Sequence, residues 1–135
     1  MASTLENIDL ASDPEEHGNL YVQAFNSGDI ATLDRMYTDD AISVWEPGNP
    51  LSGQARKDAL REFIALKPKM TATLREKHVT GDTALLVVDW TIDVTDPDGE
   101  QQLSGTGLDV LRRGRDGKWR FAVDNPFGEA GAPTA

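Results

Sequence analysis

From residue 70 to residue 124 the chain is a series of strand-like segments separated by tight turns, and this half limits what the whole can become. Residues 70–79 end at Gly81-Asp82. Residues 83–95 end at Asp96-Pro97-Asp98-Gly99, and residues 101–113 at Arg115-Asp116-Gly117. Residues 118–124 close the series. Connections this short join antiparallel neighbours, because a parallel crossover needs a dozen residues or more. In the second segment Leu86, Val88, Trp90, Ile92 and Val94 share one parity, and Asp89, Thr91 and Asp93 the other. A strand alternates its side chains, so one face of the meander is apolar and Asp89 points away from it.

The first half must cover that apolar face. Asp13 caps a helix, Pro14 suits its first position, and Glu16 completes a capping-box-like start. Leu20, Tyr21, Ala24 and Phe25 recur at helical spacing, and Gly28 ends the helix. Asp29 starts a short second helix carrying Ile30, Leu33, Met36 and Tyr37, and Asp39-Asp40 breaks it. Residues 41–45 read as a short strand, ended by Pro47-Gly48-Asn49-Pro50. Residues 54–66 read as a third helix with Ala59, Leu60, Phe63 and Ile64 inward, stopped by Lys67-Pro68. Segregated helices and antiparallel strands predict an α+β fold. Three helices cover one sheet face, and the other stays polar or meets a partner.

At 135 residues the chain reads as one domain, residues 13–127, with a flexible arm at 1–12 and a flexible tail at 128–135. The absence of Cys removes disulfides, thiolate nucleophiles and Cys-bound zinc, and fits a reducing cytoplasm. A net charge of −10 argues against nucleic acid and anionic membranes as partners. No apolar run is long enough to span a bilayer, and the N-terminus lacks the pattern of a signal peptide, so a cytoplasmic location is expected. His17 and His78 are the only histidines, too few for a multi-histidine metal site, and each reads as a surface or hydrogen-bonded histidine. Phosphate-binding glycine motifs and the GxSxG elbow are absent, and Gly105-Thr106-Gly107 reads as a bend within a strand. No metal and no cofactor is expected.

What remains for chemistry is carboxylates and aromatics set in apolar runs. Asp109 lies among Leu108, Val110 and Leu111, so alternation leaves its face open. Facing inward, it would be desolvated and held protonated near neutral pH. Asp124 follows Ala122-Val123, where alternation permits the solvent face. Tyr21 and Tyr37 fall on inner helix sides, where a tyrosine packs and its hydroxyl finds a partner. Trp45 and Glu46 end the early strand.

The stretch Tyr21-Val22-Gln23-Ala24-Phe25-Asn26-Ser27-Gly28-Asp29-Ile30, then Met36-Tyr37-Thr38-Asp39-Asp40-Ala41, resembles the opening of the NTF2-like superfamily. The ending, Asp116-Gly117-Lys118-Trp119-Arg120 through Asp124-Asn125-Pro126-Phe127-Gly128, resembles its close. The pattern is most similar to the SnoaL-like and DUF4440-type proteins, with ketosteroid isomerase as a relative. The resemblance implies a cone, in which a curved antiparallel sheet wraps three N-terminal helices around a pocket. It also implies a homodimer through the convex sheet face. Ketosteroid isomerase combines a carboxylate base with an oxyanion hole of one Tyr and one protonated Asp. By the resemblance Tyr21 and Asp109 take the oxyanion positions, and Trp45 stands where the base would be. Glu46 reaches that place only by a one-residue shift, which reverses a strand side chain. Asp124 resembles the acid/base aspartate that SnoaL-type cyclases carry near the end of the last strand.

The resemblance therefore implies a cofactor-free acid/base enzyme of isomerase or cyclase type, acting on a small, apolar, carbonyl-bearing molecule. Tyr21 and Asp109 would donate to the oxyanion, Glu46 or Asp124 would move the proton, and Tyr37, Trp45, Phe63 and Trp90 would wall the pocket. A non-catalytic ligand-binding module and a dimerisation module are the alternatives. Two carboxylates in one cavity would favour the enzyme, one buried acid the binder, and a filled cavity the structural module.

Overall fold

The computed structural model describes residues 9–46 and 48–128, the Asp96 side chain excepted. Residues 1–8 of the expected arm, Pro47, and residues 129–135 of the expected tail lie outside the described residues. The caps at Asp13, Gly28 and Asp29 act where the sequence puts them, whereas Asp39-Asp40, read as the break of the second helix, falls inside a strand. In α1 (Pro14–Ser27) the Asp13 carboxylate accepts from the Glu15 N–H at 2.9 Å, and Gly28 closes the helix at φ 72°. In α2 (Ile30–Arg35) Asp29 accepts from the Thr32 N–H at 3.1 Å. α3 (Gly53–Ile64) follows, and the chain leaves its end through Lys67 in the left-handed region.

The sheet contains β1 (Tyr37–Ser43), β2 (Lys69–Thr80), β3 (Thr83–Asp96), β4 (Gly99–Arg113) and β5 (Trp119–Asp124). Its order is β1-β5-β4-β3-β2, antiparallel throughout except for the parallel pair β1–β5. This is the α+β architecture read from the turns and caps. The covered face carries Leu86, Trp90 and Ile92 of β3 and Leu111 of β4, which join Tyr21, Phe25, Leu60 and Ile64 of the helices in one core. Asn26 of α1 ties the helices to the sheet, since its side chain both accepts from the Met70 N–H and donates to the Met70 carbonyl. Among the described residues no helix is long and apolar enough to cross a membrane.

Two local expectations change. Tyr37, read as the end of the second helix, opens β1, because Phe121 of the neighbouring strand donates its N–H to the Met36 carbonyl and pairs with Tyr37. Leu10 and Ala11, read as part of a loose arm, are buried. The Ala11 carbonyl accepts the Trp119 N–H at 2.9 Å, giving the first residue of β5 the partner that a buried amide requires.

Candidate active site

Gly105, Gly107, Asp109 and Leu111 share one parity of β4, and cross-strand pairing sets Asp109 opposite Leu86 and Gly105 opposite Trp90. Since Leu86 and Trp90 face the helices, so does Asp109. Asp89 has the other parity. It is exposed and pairs with Arg75 at 3.5 Å. The glycines make room for the chain leaving β5. A Cβ at Gly105 would sit 3.0 Å from the Trp90 ring and 3.1 Å from the Pro126 carbonyl. That carbonyl accepts from the Trp90 indole at 2.7 Å, and Phe127 packs edge-on against Trp90. The bend expected at Gly105-Thr106-Gly107 is thus a close approach of two chain segments.

Asp124 turns inward for another reason. Leu111 pairs with Phe121, but Val110 pairs with Val123, so β5 carries one extra residue at Ala122. Such a bulge reverses the parity beyond it and re-aims the next side chain. Phe121 and Asp124 therefore both face the interior.

Between the helices and the sheet lies a cavity of about 260 Å³. Phe25, Phe63, Leu86, Val88, Trp90 and Phe127 provide apolar wall, and Tyr21, Trp45, Asp109 and Asp124 bring polar atoms to it. Tyr37 stands behind this wall. Its hydroxyl donates to Asp124 Oδ2 at 2.9 Å, and the Trp45 indole donates to the same oxygen at 3.1 Å. Tyr21 and Tyr37 hydroxyls are 2.9 Å apart. A phenol has one proton and Tyr37 gives its own to Asp124, so Tyr21 donates to Tyr37. Glu46 takes no part. It is exposed, accepting from the Asn49 amide at 3.1 Å. The strand read as reaching residue 45 ends at Ser43, so Trp45 and Glu46 lie in the bend after β1, where only Trp45 reaches the cavity.

The two carboxylates are held differently. Asp109 is buried and, among the described residues, receives only the Asn125 N–H, at 3.1 Å on Oδ1. Burial pushes its pKa well above the ordinary carboxylate range, and the Asp124 charge pushes it further. Burial also raises Asp124, but the Trp45 and Tyr37 donors and the Arg56 charge pull it back. When two carboxylates share a low-dielectric site one ionises first, and the donor set makes that one Asp124. Burial, and next the Asp124 charge, raise both tyrosines well above their usual range, so they remain protonated donors.

His17, read as a surface or hydrogen-bonded histidine, is instead buried in the cavity wall, and a further buried residue missed by the sequence reading is Arg56. It lies one helical turn before Leu60 on the inner stripe of α3, it is buried, and its guanidinium stands 4.1 Å from the Tyr37 ring centroid. Its Nε and Nη1 have no hydrogen-bond partner among the described residues. The spacing of 56, 60, 63 and 64 was the available signal. Unpartnered buried donors cost about 1–3 kcal/mol each, against about 2 kcal/mol for a desolvated cation–π contact. Arg56→Met relieves those donors but also leaves the buried Asp124 carboxylate without a compensating cation, so it should fold less stably than the wild type at neutral pH. Asp124 should also titrate higher, having lost a nearby cation. Urea unfolding and a carboxyl ¹³C titration check the two parts, and an unmoved Asp124 would contradict the electrostatic role.

A family model described as a SnoaL-like domain matches residues 19–122. The chain belongs to the SnoaL-like domain family of the NTF2-like superfamily. No curated protein matches the sequence. A conserved protein from Planctomyces limnophilus is 24% identical, with a TM-score of 0.70 over 77% of this chain and 84% of that one. A proposed dehydratase of the NTF2-like family from Streptomyces avermitilis is 21% identical, with a TM-score of 0.66 over 79% and 86%. A Catenulispora acidiphila protein in complex with S-DNPA is 22% identical, with a TM-score of 0.64 over 82% and 86%. These likenesses establish the fold. Within this SnoaL-like domain, Asp124 and the segment after β5 lie just beyond the matched residues, and Tyr21, Tyr37, Trp45 and Asp109 lie inside them.

Proposed function

We propose that this SnoaL-like chain is a cofactor-free acid/base enzyme of isomerase or cyclase type, acting on a small, largely apolar carbonyl compound. The observation that carries the reading is that Asp109 and Asp124 line one cavity in unlike environments. Pairs of titratable groups pushed apart by their surroundings divide acid and base roles between them. Asp124, ionised and fixed through Oδ2, is the base, with Oδ1 left to take a proton from the carbon next to the carbonyl. The electron pair of that C–H bond moves into the carbonyl, and the oxygen becomes an enolate. Asp109, protonated, donates to that oxygen as the charge develops. Returning the proton to another carbon gives an isomer; alternatively the enolate attacks a second carbonyl to close a ring, and the alkoxide so formed takes back the proton held by Asp124. Tyr21 acts through Tyr37 on Asp124 rather than on the oxyanion, because its only proton is committed. Trp45, Phe63 and Trp90 exclude water. The S-DNPA complex and the proposed dehydratase give precedent for a small ligand in this fold. The test is proton exchange into D₂O, followed by NMR, for a panel of small cyclic ketones and enones. Wild-type protein should accelerate exchange for at least one of them, and an inert panel would count against turnover. Trp45 at the expected base position favours the second reading, a binder that takes up such compounds without exchanging their protons.

The reading includes a homodimer through the outer sheet face. Leu85, Val87 and Val110 are apolar neighbours there, bordered by the Asp89–Arg75 ion pair, the mixed surface of an ordinary interface. Sedimentation equilibrium at micromolar protein should give about twice 14.7 kDa. A monomer at that concentration would remove this part.

A further inference from the structure

The base, the acid and the aromatic wall leave one polar side chain of the cavity without a task. His17 lies one helical turn before Tyr21 on α1, is completely buried, and lines the same cavity. Among the described residues neither Nδ1 nor Nε2 has a hydrogen-bond partner. The ring is clamped edge-on to Phe121, with centroids 4.4 Å apart, and stacks on the Tyr21 side chain at 6.5 Å. The Trp119 backbone is near enough to favour the charged ring slightly, but it does not reach hydrogen-bonding geometry.

For the fold alone this is a poor choice of residue. Each buried polar atom without a partner costs about 1–3 kcal/mol, and a phenylalanine would fill the same space among Tyr21 and Phe121 without that cost. No hydrogen bond joins the imidazole to the Tyr21–Tyr37–Asp124 chain, so it is a separate polar point in an otherwise apolar wall. Ligand sites have this design, with a few placed polar groups that fix orientation inside an apolar cavity.

We infer that His17 is a second anchor for the ligand, and that the cavity takes compact carbonyl compounds carrying a further hydroxyl or carbonyl that hydrogen-bonds the imidazole. This deepens the reading given above and rests on it for the carbonyl end held at Asp109 and Asp124. A neutral imidazole offers one donor and one acceptor, so a hydroxyl suits it from either side. Burial keeps the ring neutral, with its pKa lowered to about 3, so His17 positions the ligand and does not share in proton transfer at neutral pH. At about 260 Å³ the cavity lies just below the usual range of ligand sites, which favours a compact compound.

The experiment compares α-tetralone with the positional isomers of ring-hydroxylated α-tetralone. Affinities come from tryptophan fluorescence, and the ring ¹⁵N signals of His17 are followed by NMR. At least one hydroxylated isomer should bind about ten-fold more tightly than α-tetralone, roughly one good hydrogen bond to a buried group, and should move a His17 nitrogen signal. His17→Phe should reduce that preference to less than about two-fold, read as the ratio of the two affinities within the variant so that any change in cavity shape affects both ligands. His17→Gln, which keeps a donor and an acceptor, should retain part of it and guards against misfolding of the first variant. The inference is overturned if no isomer gains affinity, if the preference survives in His17→Phe, or if the His17 signals stay still. None of these readouts needs turnover, so a failed exchange assay with a preserved His17-dependent preference would sink the enzyme reading and keep the anchor.

Discussion

Asp124→Asn should slow proton exchange at the ligand's α-carbon by about 10²–10⁴-fold, the usual range for losing a positioned general base. Binding should change little. Asparagine keeps the shape of the carboxylate, and its carbonyl oxygen can still accept from Tyr37 and Trp45, but it cannot take up a proton. Asp109→Asn should cost much less, about ten-fold, because the amide still donates to the developing oxyanion. Asp109→Leu removes the donor and should cost about 10²–10³-fold, as removal of one oxyanion donor does elsewhere. The pH dependence follows from the same division. The rate falls in acid as Asp124 gains its proton, and falls again above the raised pKa of Asp109 as that proton is lost. Exchange rates for the three variants across pH test the assignment. If Asp109→Asn were the more damaging change, acid and base would be reversed; equal rates in all variants would remove the dyad.

Much of this site was legible because alternation is reliable where a strand is regular. Parity along β3 put Asp89 outside and Trp90 inside, and the structure agrees. Asp109 needed one further fact, the register of β4 against β3, since Leu108 and Val110 are apolar on the opposite face. Asp124 could not be read by alternation at all. The extra residue at Ala122 reverses its direction, and a bulge is set by pairing with two neighbouring strands, which a single segment does not encode. Tyr37 was misplaced for a similar reason. Its helical spacing after Leu33 is real, but the edge of β5 offers a strand partner, and tertiary pairing outweighs a weak local preference. Arg56 and His17 were missed because charged and titratable residues seldom lie fully inside. Both occupy the inner stripes of their helices, at the spacings that identify Leu60 and Tyr21. On such a stripe a polar residue is a sign that the interior is a site as well as a core.

Between pH 7.5 and pH 4.5 the wild-type protein should lose about 2–3 kcal/mol more stability than His17→Gln, at about 1.4 kcal/mol for each pH unit below 6.5. His17 has its pKa lowered from 6.5 to about 3 by burial, which penalises the imidazolium. Below pH 6.5 the unfolded chain therefore takes up a proton that the folded chain refuses. Stability from this source is fully present above pH 6.5 and is lost progressively as the pH falls toward 3. Asp109 acts in the opposite sense. Its folded pKa is raised, so the folded state holds the extra proton and stability falls as the pH rises from about 4 through that raised value. Comparing wild type with His17→Gln cancels the carboxylate contribution, which both proteins share. Glutamine adds only a constant offset, because it does not titrate, so the slope of the difference is what reports on His17. Urea unfolding at intervals of half a pH unit gives that slope. Parallel curves would mean that the imidazole accepts its proton inside the fold, and a ring that does so has a partner or solvent at its side that the buried, unpaired geometry excludes.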